Sequence, residues 1–242
     1  MTRLEKHYAE HLETLSSKLM RMGGLVEQAV ERALEALVNR DCELARAVIE
    51  ADNDINRLEL EIDQLGLELL ARYQPAARDL RLIVAAMQIN TDLERMGDLA
   101  VNMCKRVEEL CQEPPLKPLI DLPAMGRRAQ EMLRGALDAF VARDATAARA
   151  VIGKDDDLDH RMESGFRELV SYMIEDPRNI TRAIRLAFIA KLLERIGDQA
   201  TNICELVVFM AEGTVIKHAH LTGAPRKLPD TAGEPPSGPR TA

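Results

Sequence analysis

An internal repeat constrains this chain more than any other feature. Leu93-Glu94-Arg95-Met96-Gly97-Asp98 recurs as Leu193-Glu194-Arg195-Ile196-Gly197-Asp198, and the match runs on through Ala100, Asn102 and Cys104 to Ala200, Asn202 and Cys204. Upstream, Arg40-Asp41 and Ala45-Arg46-Ala47-Val48-Ile49 recur as Arg143-Asp144 and Ala148-Arg149-Ala150-Val151-Ile152. Two separated blocks repeated in the same order point to duplication of one folding unit. The two blocks repeat at slightly different spacings, so one connection is shorter in the second half.

Each unit reads as three long helices. The first covers roughly Arg3 to Val38, and in the second unit Leu122 to Ala142. The Arg-Asp pairs at 40–41 and 143–144 interrupt the pattern, and Asp41 and Asp144 are expected to cap the next helix by accepting its free N–H groups. In the second helix of unit one, Leu44, Val48, Ala51, Ile55, Leu58, Ile62, Leu65 and Leu69 step by four and three, as in a bundle seam. The third helices begin near Pro75 and Pro177, where a first turn tolerates proline. Pro114, Pro115 and Pro118 mark a linker, and past about His218 the pattern collapses into a tail expected to be disordered. The expected layout is all-α: two tandem three-helix bundles, six helices side by side. The units span 1–113 and 122–213, with a linker over 114–121 and a tail over 214–242.

Composition fits such a bundle. Apolar residues make up 46% of the chain and aromatics only 3%, so the core must be built from Leu, Ile, Val, Met and Ala. A net charge of -8 argues against nucleic acid as the main partner. No apolar stretch follows a basic start, and Leu82 to Met87 is far too short to span a bilayer. A cytoplasmic protein that reaches a membrane only through partners is expected. Cys42, Cys104, Cys111 and Cys204 lack metal-finger spacing and read as small buried hydrophobes in a reducing compartment.

The chemistry lies in acid pairs. Glu94 and Asp98 project from one helix face a turn apart, as do Glu194 and Asp198. Glu94 lies in line with Ile83, Met87 and Val101, so the acids continue an apolar stripe, where an unpaired carboxylate needs a proton, a cation or a metal. The preceding helix offers Asp52 with Asn56, and at the repeat-equivalent places Asp155 with Asp159. Two helices facing each other with such pairs would make an all-oxygen site for a hard divalent or ferric ion. Gly97 and Gly197 would leave room for close approach. Arg95 and Arg195 are the salt-bridge partners that would explain the acids without metal. Glu59 and Asp63 share the spacing without a second copy and read as a solvated face. His160 is isolated in the bundle and reads as a packing or surface residue. With no paired histidine ligands and no nucleophile or phosphate-loop motif, no enzyme is expected. Ile89, Leu93, Met96 and Ala100 lie on a further apolar face of the third helix and suggest a homodimer.

The duplicated Leu-Glu-Arg-Met/Ile-Gly-Asp-x-Ala-x-Asn block resembles the PhoU family of phosphate-transport accessory and phosphate-signalling proteins. Leu12, Leu15, Leu19 and Met22-Gly23, and Val48-Ile49 followed by Asp52, Asp54-Ile55 and Glu59, are similar to it too. The resemblance covers roughly residues 3 to 212. It implies metal sites of iron, zinc, magnesium or manganese at Glu94, Asp98, Glu194, Asp198, Asp155 and Asp159, with Asp52 and Asn56 as a weaker partner pair. It implies restraint of phosphate uptake and of starvation signalling, through the ATPase subunit of the phosphate ABC transporter and a sensor histidine kinase. A metal-buffering protein without a signalling role is the alternative. Since Asn56 is neutral where Asp159 is charged, unit two is expected to bind metal more tightly.

Overall fold

The computed structural model describes residues 3–116, 121–217 and 226–227. Unit one comprises α1 (Arg3–Asn39), α2 (Cys42–Tyr73) and α3 (Ala77–Cys111). Unit two comprises α4 (Leu122–Ala142), α5 (Ala145–Ile152), α6 (Asp155–Glu175), a 3₁₀ turn (Pro177–Asn179) and α7 (Ile180–Glu212). The Arg-Asp corners fold alike in both. Arg40 and Arg143 take left-handed backbone, with φ of 57° and 53°, and the chain turns there into the next helix. Asp41 then accepts the Leu44 N–H at 2.9 Å, and Asp144 accepts those of Thr146 and Ala147 at 2.8 and 3.0 Å. Both act as the caps expected of them. Asp176 caps the 3₁₀ turn ahead of α7 through the Arg178 N–H.

The second helix of unit two departs from the expected single rod. It breaks at Gly153-Lys154, where the Gly153 N–H returns to the Arg149 and Val151 carbonyls and α6 restarts at Asp155. Unit one has Glu50-Ala51 at the matching positions and runs straight through. Gly is the weakest ordinary helix former, and the three consecutive acids Asp155, Asp156 and Asp157 favour a helix N-terminus, where the backbone dipole is positive. Both preferences place the break where it falls.

One hydrophobic core joins the units. α3 packs on α1 and α2, α7 packs on α4, α5 and α6, and the units meet along α3 against α7 and α1 against α4. Leu15, Leu19, Met22, Ile89, Met96, Met125 and Met132 are fully buried, so the expected aliphatic and Met core is the one that forms. The α1–α4 crossing uses one contact twice. A Cβ on Gly23 would lie 2.7 Å from Leu137 Cδ1, and one on Gly126 would lie 2.2 Å from Leu34 Cδ2. Gly126 and Leu137 are the repeat counterparts of Gly23 and Leu34, so the units face each other about a local two-fold axis.

Three expectations change. Ile89, Leu93, Met96 and Ala100 are wholly buried in the shared core where α3 meets its own chain, so the apolar face offered for a homodimer is already covered. Ala51 is exposed, and Asp52 turns inward between Val48 and Ile55 instead. Within the span read as a tail, Thr214–Val215 pairs antiparallel with Arg226–Lys227. Gly213, at φ 70°, closes α7 and redirects the chain into that strand pair. Residues 117–120 of the linker, with Pro118, and residues 218–225 and 228–242 of the tail lie outside the described residues. Among the described residues no helix is long and apolar enough to cross a membrane.

Candidate metal centre

The acids line two seams, α2 against α3 and α6 against α7, and each seam closes over a glycine. In unit two, a Cβ on Gly197 would stand 2.4 Å from Leu158 Cδ2 and 3.4 Å from Asp155 Oδ1. The bare glycine lets α6 approach with Asp155 aimed at α7. Glu194 is only 8% exposed; its Oε1 accepts from Lys191 Nζ at 2.6 Å. Glu194 Oε2 and Asp155 Oδ1 are both enclosed without a hydrogen-bond donor. An enclosed acceptor left without a partner costs about 1–3 kcal/mol. Burial first, and then the neighbouring Asp198, Asp159 and Glu194, push the Asp155 carboxyl up to about 6. Burial and Glu194 likewise raise Asp198, against the pull of Lys191. Asp159 stands at the exposed rim.

Unit one has the same frame with different wiring. A Cβ on Gly97 would meet Asp52 Oδ1 and Ile55 Cδ1, each at 3.2 Å. Asn56, expected as a ligand, donates from Nδ2 to Asp52 Oδ2 at 2.9 Å. Burial raises Asp52, the Asn56 hydrogen bond opposes that rise, and Asp98 adds to it. Glu94 is half-buried and raised by burial, then by Asp98, Glu59 and Asp52. Asp98 is exposed, so the Glu94–Asp98 pair straddles the edge of its seam. Among the described residues, no three His, Cys, Asp or Glu side chains are already gathered tightly enough to hold one ion.

The arginines do not neutralise the pairs as a salt-bridge reading requires. Arg95 reaches Asp92 at 3.8 Å, and the cation on Glu194 is Lys191. His160 is exposed, as a surface residue.

A family model described as the PhoU domain matches this chain twice, over residues 19–107 and 122–207. The chain belongs to the PhoU family. It is 40% identical over 232 residues to a phosphate-specific transport system accessory protein PhoU homolog of Pseudomonas aeruginosa, covering 96% of each. It is 36% identical over 219 residues to the phosphate-specific transport system accessory protein PhoU of Escherichia coli (strain K12), covering 89% of this chain and 91% of that one. Among solved structures, PhoU from Pseudomonas aeruginosa aligns with a TM-score of 0.83 at 42% identity, covering 86% of this chain and all of that one. The phosphate transport system regulatory protein PhoU from Streptococcus pneumoniae aligns with a TM-score of 0.80 at 30% identity, covering 86% of this chain and 99% of that one. The two PhoU repeats and the two structural units coincide.

In the first PhoU repeat, Glu59 and Asp63 are half-buried rather than solvated. Asp63 accepts from Asn90 Nδ2 at 2.9 Å, and the fully buried Asn90 also donates to the Glu59 carbonyl at 3.0 Å. Glu59 itself is raised by burial, then by Asp63 and Asp98, which places it within reach of the unit-one acids. Its position was legible: Glu59 follows Asp52 by two helical turns and shares its face. Unit two has Met162 there. Each seam therefore carries four carboxylates, from Asp52, Glu59, Glu94 and Asp98 in one and Asp155, Asp159, Glu194 and Asp198 in the other. A cavity of about 470 Å³ lies away from both, between α3 and α7, beside Asp92, Arg95, Glu205, Phe209 and Lys217. Burial raises Asp92 to about 6 there, and its repeat counterpart is Leu192.

Proposed function

We propose that this chain is a cytoplasmic, non-enzymatic regulator of phosphate homeostasis. It restrains phosphate uptake and the phosphate-starvation response by contacting the ATPase subunit of a phosphate ABC transporter and a phosphate-sensing histidine kinase. The relatives named as phosphate-specific transport system accessory proteins, matched over nearly their whole length, support this role.

The same reading takes the two seams as sites for divalent or ferric ions. The observation that carries it is the pair of enclosed, donorless carboxylate oxygens on Asp155 and Glu194. Enclosed acid oxygens on two packed helices, close enough for Glu194 to add to the rise that burial gives Asp155, call for a cation. All-oxygen donors select hard ions such as magnesium, manganese or ferric iron, and also admit zinc. Asp155, Asp159, Glu194 and Asp198 would hold the ion in unit two, and Asp52, Glu59, Glu94 and Asp98 in unit one. A bound ion would supply positive charge beyond that of Lys191 on Glu194 and tie the second helix of each unit to the third. Without it, mutual repulsion loosens the same two helices, so ion occupancy sets the stiffness of the surfaces that partners meet.

The test is a pull-down from phosphate-replete cells with the wild-type chain and with the Glu194→Gln/Asp198→Asn variant, alongside elemental analysis of both. Capture of the transporter ATPase and the kinase by the wild type supports the regulatory role, and capture of neither sinks it. Equal metal content in the two proteins would remove α7 from any metal site.

A further inference from the structure

The corner of unit one holds chemistry that unit two lacks. Cys42 is the first residue of α2 and Cys111 the last of α3, and both are half-buried. Their sulfurs are joined across a separation of 69 residues, with Cα atoms 6.5 Å apart. Disulfides span about 4.4–6.8 Å between Cα atoms, so the backbone is already in bonding position. This corrects the reading of all four cysteines as isolated buried hydrophobes. The other two do fit it: Cys104 and Cys204 are fully buried, and burial pushes both thiols up to about 12. The counterparts of Cys42 and Cys111 in unit two are Ala145 and Ala211.

We propose that Cys42 and Cys111 are a reversible thiol-oxidation site, closed by a low-molecular-weight disulfide, that straps α2 to α3 in unit one alone. The chemistry balances with glutathione disulfide as oxidant. One cysteine thiolate attacks a sulfur of glutathione disulfide and releases one glutathione thiolate, leaving a mixed disulfide. The second cysteine thiolate attacks the protein sulfur of that mixed disulfide and releases the other glutathione. Two protein thiols lose two electrons and two protons, and one glutathione disulfide becomes two glutathiones.

The setting suits a switch. The bond joins two helix ends that non-covalent contacts already hold together. The Arg40 guanidinium donates to the Leu110 and Glu113 carbonyls at the end of α3, and Arg46 bridges α2 to Glu108 at 3.0 Å. Reduction therefore leaves the thiols side by side, ready to close again. The half-buried sulfurs are open to a small disulfide, whereas Cys104 and Cys204 are sealed. α2 and α3 are also the helices that carry the unit-one acids, so the strap fixes one end of that seam and leaves unit two untouched.

The test uses the full chain after complete reduction. A chromogenic disulfide should titrate two thiols in the native protein and four after unfolding, the four being the whole cysteine content. After equilibration with glutathione disulfide the native count should fall to none, peptides bearing Cys42 and Cys111 should be linked, and excess glutathione should restore both thiols. Hydrogen exchange should slow in the first turn of α2 and the last turn of α3, with no change at α5 or the end of α7. Cys42→Ser and Cys111→Ser, checked for helical content, should each yield one glutathione adduct and no link. Absence of the link at every glutathione ratio, a link that excess glutathione does not open, or a link to Cys104 would each overturn the proposal. None of these readouts depends on metal.

Discussion

The α2–α3 and α6–α7 seams began as the same sequence and now solve the same problem differently. Both place an aspartate against a bare glycine on the facing helix, Asp52 against Gly97 and Asp155 against Gly197. In unit one α2 runs unbroken, and Asn56 satisfies one oxygen of Asp52. In unit two the helix restarts at Asp155, whose Oδ1 has no donor. Duplication thus preserved the frame and the negative charge while the partners of that charge drifted. An internal amide quiets one seam, and the other stays electrostatically open. The differences between the units are experiments already half performed, because each unit serves as a control for the other.

The largest expected effect tests the frame itself. Gly126→Ala should destabilise the protein by about 2 kcal/mol, since the new methyl meets three Leu34 side-chain atoms within 2.8 Å. The higher helix propensity of alanine, up to about 1 kcal/mol, offsets only part of that. Gly23→Ala meets Leu137 at 2.7 Å and should lose about half as much. Urea unfolding of the two variants measures both. A larger loss at Gly23 would mean that the reciprocal crossing is not graded as its contacts indicate.

The second prediction revises the expectation that unit one is the weaker site. With Glu59 counted, the two seams match in charge, and their affinities for manganese should lie within about tenfold of each other. Each seam is read alone by silencing the other, with Glu194→Gln/Asp198→Asn or Glu94→Gln/Asp98→Asn. In the chain with unit two silenced, Glu59→Gln should weaken manganese binding by about tenfold. Unchanged binding in a titration calorimeter would take Glu59 out of the seam.

The third separates the seams without metal. In chelator, Asp155→Asn should stabilise the protein at pH 7.5 by about 1 kcal/mol, because it removes a charge from an enclosed oxygen. Asp52→Asn should gain less, since Asn56 already serves that carboxylate. The pH dependence has a definite sign. The folded Asp155 carboxyl lies at about 6, above its ordinary value of 3.8, so the folded state holds the proton more tightly than the unfolded one. Its contribution is full below about pH 4 and is lost as pH rises through 6. The stability difference between Asp155→Asn and wild type should therefore grow from pH 4 to pH 7 and then level off. A flat difference would show that Asp155 is not titrating in that window.

Much of this was legible in the sequence because repetition and periodicity report backbone geometry directly. The duplicated Arg-Asp corners became two left-handed turns with aspartate caps, and the apolar stripes became one aliphatic core. What escaped depended on contacts that no period encodes. The break at Gly153-Lys154 came from weak local propensity overriding the repeat. Glu59 was missed because only duplicated acids were weighed, although its face was readable. Cys42 and Cys111, 69 residues apart, meet only once α2 and α3 are laid antiparallel. The face offered for a homodimer was apolar as read, but it is already buried within its own chain.

The smallest expected effect concerns those corners. Arginine at φ 57° or 53° pays for a backbone that glycine adopts freely, a strain of about 1 kcal/mol. Arg143 is exposed, so Arg143→Gly should relieve the strain and stabilise the protein by about 0.5 kcal/mol, after the added entropy of glycine in the unfolded chain. Arg40 sits in the same conformation, but its guanidinium holds the Leu110 and Glu113 carbonyls at the end of α3. The Leu110 carbonyl keeps the Glu113 N–H at 3.2 Å without Arg40, but losing the charge-assisted hydrogen bonds of the guanidinium still costs about 1.5 kcal/mol, which exceeds the strain relieved. Arg40→Gly should therefore be destabilising where Arg143→Gly is stabilising. Thermal unfolding of the two variants under reducing conditions, which removes any contribution from the Cys42–Cys111 bond, gives the comparison. Opposite signs would establish that unit one keeps its strained arginine for its side chain and unit two only by descent; matching signs would mean that the Arg40 contacts to α3 contribute nothing measurable.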